Sequence, residues 1–221
     1  MSRFVMLPLL ALLSACNSVI PQGDAPQRAS IKRSAQILTT RPEVRQCLST
    51  LGQAKADFTP LPDQYYGAGC STLGTVRLAS LRGDDSTLGL SNLGPVTCPL
   101  AETFAGWARF GVDRAAQQLL GSPLARIETM GSYNCRNVAG SARRSAHATA
   151  SAIDVSGFVL ADGRRITVSG DWQSESPRVR QFLTLIHSSA CKRFGTVLGP
   201  AYNAAHKDHL HLELSSRSTC S

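Results

Sequence analysis

Four of the five histidines of this chain fall in two short pieces, Ser145–Asp154 and His206–His211. In the first, His147 and Asp154 stand seven residues apart; in the second, His206, Asp208, His209 and His211 crowd into six positions. Imidazole nitrogens and a carboxylate oxygen together form a donor set that suits a zinc ion. The seven-residue separation leaves room for a turn that returns both side chains to one ion. The second piece leads into a strand pattern. Side chains alternate along a strand, so His209, His211 and Glu213 share one face while Leu210, Leu212 and Leu214 share the other. The leucines can then pack on a core while two imidazoles face a cleft, as a metal pair or an acid–base pair. Either histidine taken alone reads equally well as a surface residue; the combination with His147 and Asp154 is what points to a site. No G-x-S-x-G nucleophile signal and no Gly-rich phosphate loop competes with it.

Several elements must bring the two pieces together. Val44–Leu51 suits a short helix, Phe58–Cys70 is turn-rich, Thr75–Leu81 alternates as a strand, and Gly83–Pro95 is loop-like. Pro99 opens the clearest helix, to about Leu120, with Leu100, Phe104, Trp107, Ala108, Ala115 and Leu119 near one face and Gly121 as its stop. On that apolar face Trp107 reads as core rather than as a sugar platform. Arg126–Tyr133 and Ser151–Phe158 read as strands, and Ala161-Asp-Gly163 turns the latter into a third, Arg164–Val168. Ser176-Pro177 starts a helix to about Ala190 with the stripe Val179, Phe182, Leu183 and Ile186. His187 on that helix has no metal-ligand neighbour and reads as a surface or capped residue. Gly195–Pro200 returns the chain to a last strand, His209–Leu214. Helices interspersed with short strands predict an α+β domain.

The chain's ends and composition suggest where such a domain works. Arg3, the apolar run Phe4–Leu13 and the small residues before Cys16 read as a secretory leader, too short for a membrane span. Cys16 stands where a lipobox cysteine would, which predicts lipidation there and membrane attachment through lipid alone. An ordinary secreted protein with an incidental cysteine is the alternative. Residue 17 is Asn rather than Asp, which resembles the pattern of lipoproteins sorted to the outer membrane, on its periplasmic face. The expected organisation is a leader over 1–15, lipidated Cys16 and a flexible tether over 16–36, and one domain over 37–221, beginning near Ile37 or Pro42. Of seven cysteines, six then remain, an even number that in an exported chain predicts disulfides. Sequential pairing (47–70, 98–135, 191–220) closes the shortest loops and is preferred over the other possibilities. The formal charge is +8, less the one charge of Arg3 once a leader is removed. The basic residues are scattered without interleaved aromatics, so nucleic acid is not an expected partner. Peptidoglycan, with its free peptide carboxylates, is the available anionic one, and a monomer is expected.

The two histidine pieces also carry a resemblance. Ser145-x-His147-x-x-Ala150-x-Ala152-x-Asp154 resembles the S-x-H-x-x-G-x-A-x-D motif of the D-alanyl-D-alanine and lysostaphin-type metallopeptidases, and Asp208-His209-Leu210-His211 resembles their closing acidic and H-x-H elements. From about Cys47 to Cys220 the chain more closely resembles the bacterial extensin-like C-terminal domain. Tyr133-Asn-Cys-Arg136, His147-Ala-Thr149, Ala161-Asp-Gly-Arg164, Leu198-Gly-Pro-Ala-Tyr-Asn203 and the final histidine segment carry that likeness. The resemblance implies a small antiparallel sheet bearing a zinc site and flanked by helices, hedgehog/DD-peptidase-like. It makes His147, Asp154 and His211 the zinc ligands, with a fourth position left for water. It gives His209 a role at the attacking water or the oxyanion, and Asp208 or His206 that of general base. Arg136 would polarise a carbonyl or hold a carboxylate, or else form a structural salt bridge. Ser145 would contact substrate or cap its loop. Alanine at 150 departs from the peptidase glycine and fits only where the backbone needs no positive φ. The function implied is a zinc-dependent peptidase or amidase acting on peptidoglycan peptides; the alternative is a zinc-containing lipoprotein that binds peptidoglycan without cutting it.

Overall fold

The computed structural model describes residues 41–216 and 218–221. The leader, the lipidation site at Cys16, the tether and a domain start at Ile37 lie outside the described residues. Helix α1, Pro42–Gln53, begins at a proline in the first turn, which suits a position whose N–H would be unpaired. Strands β1 (Asp57–Pro60), β2 (Gln64–Gly67), β3 (Cys70–Thr72), β4 (Thr75–Arg82), β5 (Thr87–Ser91) and β6 (Val96–Thr97) follow. Helix α2, Cys98–Trp107, also carries an early proline and continues through wider π-type turns over Ala108–Asp113 and Ala116–Leu120. Gly121 ends it in the left-handed conformation. Then come β7 (Leu124–Gly131), β8 (Ala152–Leu160), β9 (Arg165–Thr167), a single turn α3 (Val168–Asp171), α4 (Pro177–Cys191), β10 (Thr196–Leu198), β11 (Leu210–Glu213) and β12 (Thr219–Cys220).

The fold is mixed α+β, as expected, but its sheet is neither small nor wholly antiparallel. Ten strands join in the order β1-β4-β5-β7-β8-β11-β10-β12, with β6 also on β4 and β9 also on β8. The β5–β7 and β10–β12 pairs are parallel. The segment Gly83–Pro95, read as loop, contains β5. Its only fully buried side chain is Leu88, and Gly89 breaks the pattern, so its strand character comes from pairing with β4 and β7 rather than from local alternation.

The helices cover one face of the sheet. Trp107 is fully buried at the centre, ringed by Phe104, Phe158 and Phe194, and its indole N–H donates to the Ile186 carbonyl of α4 at 3.0 Å. Its reading as core holds. Ile153 and Val155 of β8 and Leu210 and Leu212 of β11 are buried there too. Because side chains alternate, Asp154 and His211, directly opposite each other across the β8–β11 ladder, project from the face away from the helices.

Three disulfides fasten the fold: Cys47–Cys98, Cys70–Cys135 and Cys191–Cys220. The expected 191–220 pair is present, whereas 47–70 and 98–135 are replaced. The cost of closing a loop rises only slowly with its length, so short loops carry little preference. Packing decides instead: α1 lies against the start of α2, and β3 against the segment that leads into the histidine cluster.

A histidine–aspartate cluster on the open face of the sheet

Three elements converge on Asp154. Strand β8 supplies Asp154 itself. Strand β11, in register beside it, supplies His211, whose Nδ1 lies 2.9 Å from Asp154 Oδ1. His147 arrives from a 3₁₀ turn, Ala146–Thr149, with Nε2 at 3.1 Å from Asp154 Oδ2 and 3.2 Å from His211 Nδ1. That turn is built locally. Ser145 caps it, its Oγ accepting the His147 N–H at 3.4 Å, so the structure realises the capping role foreseen for Ser145. Ala150 closes the turn with φ at +54°, which overturns the condition on which alanine was expected to fit. The left-handed conformation costs an alanine roughly 1–2 kcal/mol. It is held by the Ala150 N–H to the His147 carbonyl and by the Ala150 carbonyl accepting from Thr97 N–H.

The outer nitrogens of both histidines are also engaged. His147 Nδ1–H donates to the Ser132 carbonyl at 3.1 Å, and His211 Nε2–H donates to Glu213 at 3.3 Å. The two rings therefore turn opposite nitrogens, Nε2 of His147 and Nδ1 of His211, toward Asp154. Glu213 was placed on this face by sequence but given no role; a carboxylate two residues from a histidine on a strand is too common a pattern to single out.

Charge follows from this packing. Burial raises the Asp154 carboxyl, but hydrogen bonds from His147 and His211 outweigh it and hold the group well below the usual carboxylate range. Burial likewise disfavours a charged His211, yet hydrogen bonds to Asp154 and Glu213 raise it to about 9. Without a metal the cluster thus keeps a proton on His211 at neutral pH.

His209 stands just before β11, its Nε2 at 3.7 Å from Asp154 Oδ1 and its Nδ1 at 2.9 Å from Asp208. The bond to His209 lowers the Asp208 carboxyl. His206, on a short turn Ala204–His206, packs its ring against those of His209 and His211 at 5.1 and 5.9 Å. Its Nδ1 bonds Asn203 at 2.8 Å, and burial together with the neighbouring His209 and His211 pushes it down to about 4. Both His206 and His209 therefore have Nδ1 committed, and His209 turns Nε2 toward Asp154. Arg136 is exposed and lines the same space; its guanidinium bonds the Asn137 carbonyl at 3.4 Å. It forms no salt bridge among the described residues. All of the predicted site residues within the described chain border one cavity of about 410 Å³ except Asp208, which is bonded to the lining residue His209, and His147, which is bonded to the lining residue His211. His187 lies apart, its Nε2 on the Ser221 carbonyl and its ring against Trp172, and the two cysteines near it form a disulfide.

The donor set fits a metal. His147, Asp154 and His211 offer one ligand atom each within 4.8 Å of one another. Tetrahedral ligands held about 2.0–2.1 Å from a zinc stand about 3.3 Å apart, close to the separations found. Outer hydrogen bonds to a carbonyl and a carboxylate are what orient metal-binding imidazoles.

An α+β domain carrying a buried His–Asp–His cluster beneath an open cavity is the class that fold and site define. Over residues 45–221 the chain matches the family described as Extensin-like protein C-terminus, and it belongs to that family. No curated protein and no solved structure matches it.

Proposed function

We propose that this protein is a zinc-dependent peptidase or amidase that acts on peptidoglycan peptides at the cell envelope. The observation that carries the reading is the convergence of His147 Nε2, Asp154 and His211 Nδ1 at 2.9–3.2 Å, with both outer imidazole nitrogens braced. The similarity of the Ser145–Asp154 and Asp208–His211 patterns to D-alanyl-D-alanine and lysostaphin-type peptidases supports it. When bound, zinc would supply Lewis acidity, polarising an amide carbonyl and bringing the pKa of a water down to about 7.

The chain's own groups supply the proton transfers. Asp208 fixes His209 with Nδ1 protonated, so His209 Nε2 is the free nitrogen facing the cluster. It can take a proton as water attacks the carbonyl carbon and return it to the amine as the C–N bond breaks. In this arrangement Asp208 positions the base rather than acting as one. His206, neutral at pH 7, is a second acceptor at the cavity wall. Arg136 can donate to a substrate carbonyl or carboxylate with a two-pronged fork. A lipid on Cys16 and the segment after it would keep this domain near the wall.

A second reading, a zinc-containing lipoprotein that grips peptidoglycan without cutting it, draws support from one observation. Asp154, Asp208 and Glu213 are all bonded to histidines, so each carboxylate at the cluster already has a partner. Metal analysis of the purified domain, then digestion of peptidoglycan with His211→Ala as control, separates the two. The peptidase predicts about one zinc per chain and released peptides that vanish in the variant. Zinc without release would favour the binding module, and absence of zinc after refolding in its presence would overturn both.

A further inference from the structure

Between Arg136 and Ser145 the chain forms a small hairpin over the cavity. The Ser145 N–H bonds the Arg136 carbonyl, the Val138 N–H bonds the Arg143 carbonyl, and Asn137 pairs with Arg144. Side chains alternate along such arms, which sorts these residues by face. Asn137 and Arg144 lie on the outer face, where Arg144 bonds Asn137 Oδ1 at 2.8 Å and the Ala68 carbonyl at 2.6 Å. Arg136, Val138, Arg143 and Ser145 line the cavity. The Cys70–Cys135 disulfide anchors the hairpin's base, so the orientation is set by a covalent staple and by Arg144 rather than by loose loop packing.

Two guanidiniums therefore face the cavity, and among the described residues neither has a carboxylate partner. The two acids that line the cavity, Asp154 and Glu213, are both bonded to histidines. The uncompensated charge at the wall is positive. We propose that Arg143 is a specificity-determining residue that grips a carboxylate carried by the substrate, so that the cavity takes short acidic peptides. Arg136 and Arg143 leave from opposite arms of the hairpin, which suits two separate carboxylates better than one. The inference rests on the cavity being the substrate site, but not on cleavage occurring there.

The test uses four forms of one synthetic wall stem peptide that carries an internal and a C-terminal carboxylate: the diacid, each single amide, and the diamide. Calorimetry on the metal-stripped protein reads binding without turnover, and product release with zinc is read separately. The wild type is expected to bind the diacid about tenfold more tightly than a form amidated at the carboxylate that Arg143 grips, the worth of one charge-assisted hydrogen-bonded contact. Arg143→Gln should abolish the preference for one of the two carboxylates while leaving the response to amidation of the other unchanged, and Arg143→Lys should restore only part of it. Equal weakening for the diacid and both single amides would reduce Arg143 to a structural role. No discrimination by the wild type, or no binding of the diacid at millimolar concentration, would also overturn the proposal. Turnover without carboxylate preference defeats this inference alone; carboxylate preference without turnover defeats the peptidase reading alone.

Discussion

Each imidazole of the cluster is used at both nitrogens, and the partner of the outward nitrogen differs between them. His147 is braced by a backbone carbonyl, which no substitution of a side chain at Ser132 removes. His211 is braced by the Glu213 carboxylate, which a single change can alter. Outer partners of this kind fix the tautomer and raise the basicity of the ligating nitrogen. Glu213→Gln keeps the shape and a hydrogen-bond acceptor but loses the charge. It is expected to weaken zinc binding by about 10- to 100-fold with the fold intact. Competition against a chromophoric chelator, with circular dichroism as the folding control, reads this directly. An unchanged affinity would make Glu213 a neighbour and not a brace. The Ser145 hydroxyl accepts the N–H of His147, and the same residue lines the cavity.

Among the elements, the strand pair β8–β11 holds Asp154 and His211, the turn Ala146–Thr149 adds His147, and the hairpin 136–145 lines the cavity beside them. Cys135 immediately precedes the hairpin, so the Cys70–Cys135 staple acts on it more directly than on the core. Removing the pair as Cys70→Ser with Cys135→Ser frees a 65-residue loop in the unfolded chain and is expected to cost about 4 kcal/mol. Amide exchange over 136–145 should rise further than in β8, and denaturant titration with exchange by mass spectrometry measures both. A uniform rise would mean that the staple serves the core instead. This partition was only partly legible in the residues. Periodic segments declared themselves: α2 and α4 through their stripes, the β8–β9 hairpin through Asp162-Gly163, β11 through alternating His and Leu. The β5 strand did not, because a strand with one buried side chain and a glycine shows its nature only against its partners. Nor did the first two disulfides, since pairing is a property of the packed helices and sheet and not of the spacing of cysteines. The cluster was legible because its chemistry needs rare residue types. Its braces were not, because carbonyls carry no sequence signature and a glutamate on a strand is commonplace.

At the scale of the whole molecule, the cluster is a buried charge pair on the solvent face of a sheet whose other face is apolar core, so it couples stability to pH. In the metal-free protein His211 is raised to about 9, against an ordinary value near 6.5. Below about pH 6.5 both the native and the unfolded chain hold that proton, and the contribution is complete. Between 6.5 and 9 the native state keeps a proton that the unfolded chain has released, so stability falls as pH rises, and by about 9 the contribution is lost. The loss amounts to about 3 kcal/mol, counted once for the pair and not again for Asp154. Asp154 sets the acid side with the opposite sense: its depressed carboxyl stabilises above the ordinary aspartate range, and that stability disappears as pH falls below it. On the proposed zinc reading the alkaline arm inverts. Ligation requires His211 to give up the proton, so zinc should bind more tightly, and stabilise more, as pH rises from 6.5 to 9. Chemical denaturation at pH 6.5 and 9, with and without zinc, tests the pair of signs together. The metal-free protein is expected to lose stability between the two pH values while the zinc-loaded protein does not. A metal-free protein equally stable at both would show that Asp154 and Glu213 do not hold His211 as an imidazolium, and His211 would then be a neutral imidazole beside the Asp154 carboxylate, displacing no proton when zinc enters.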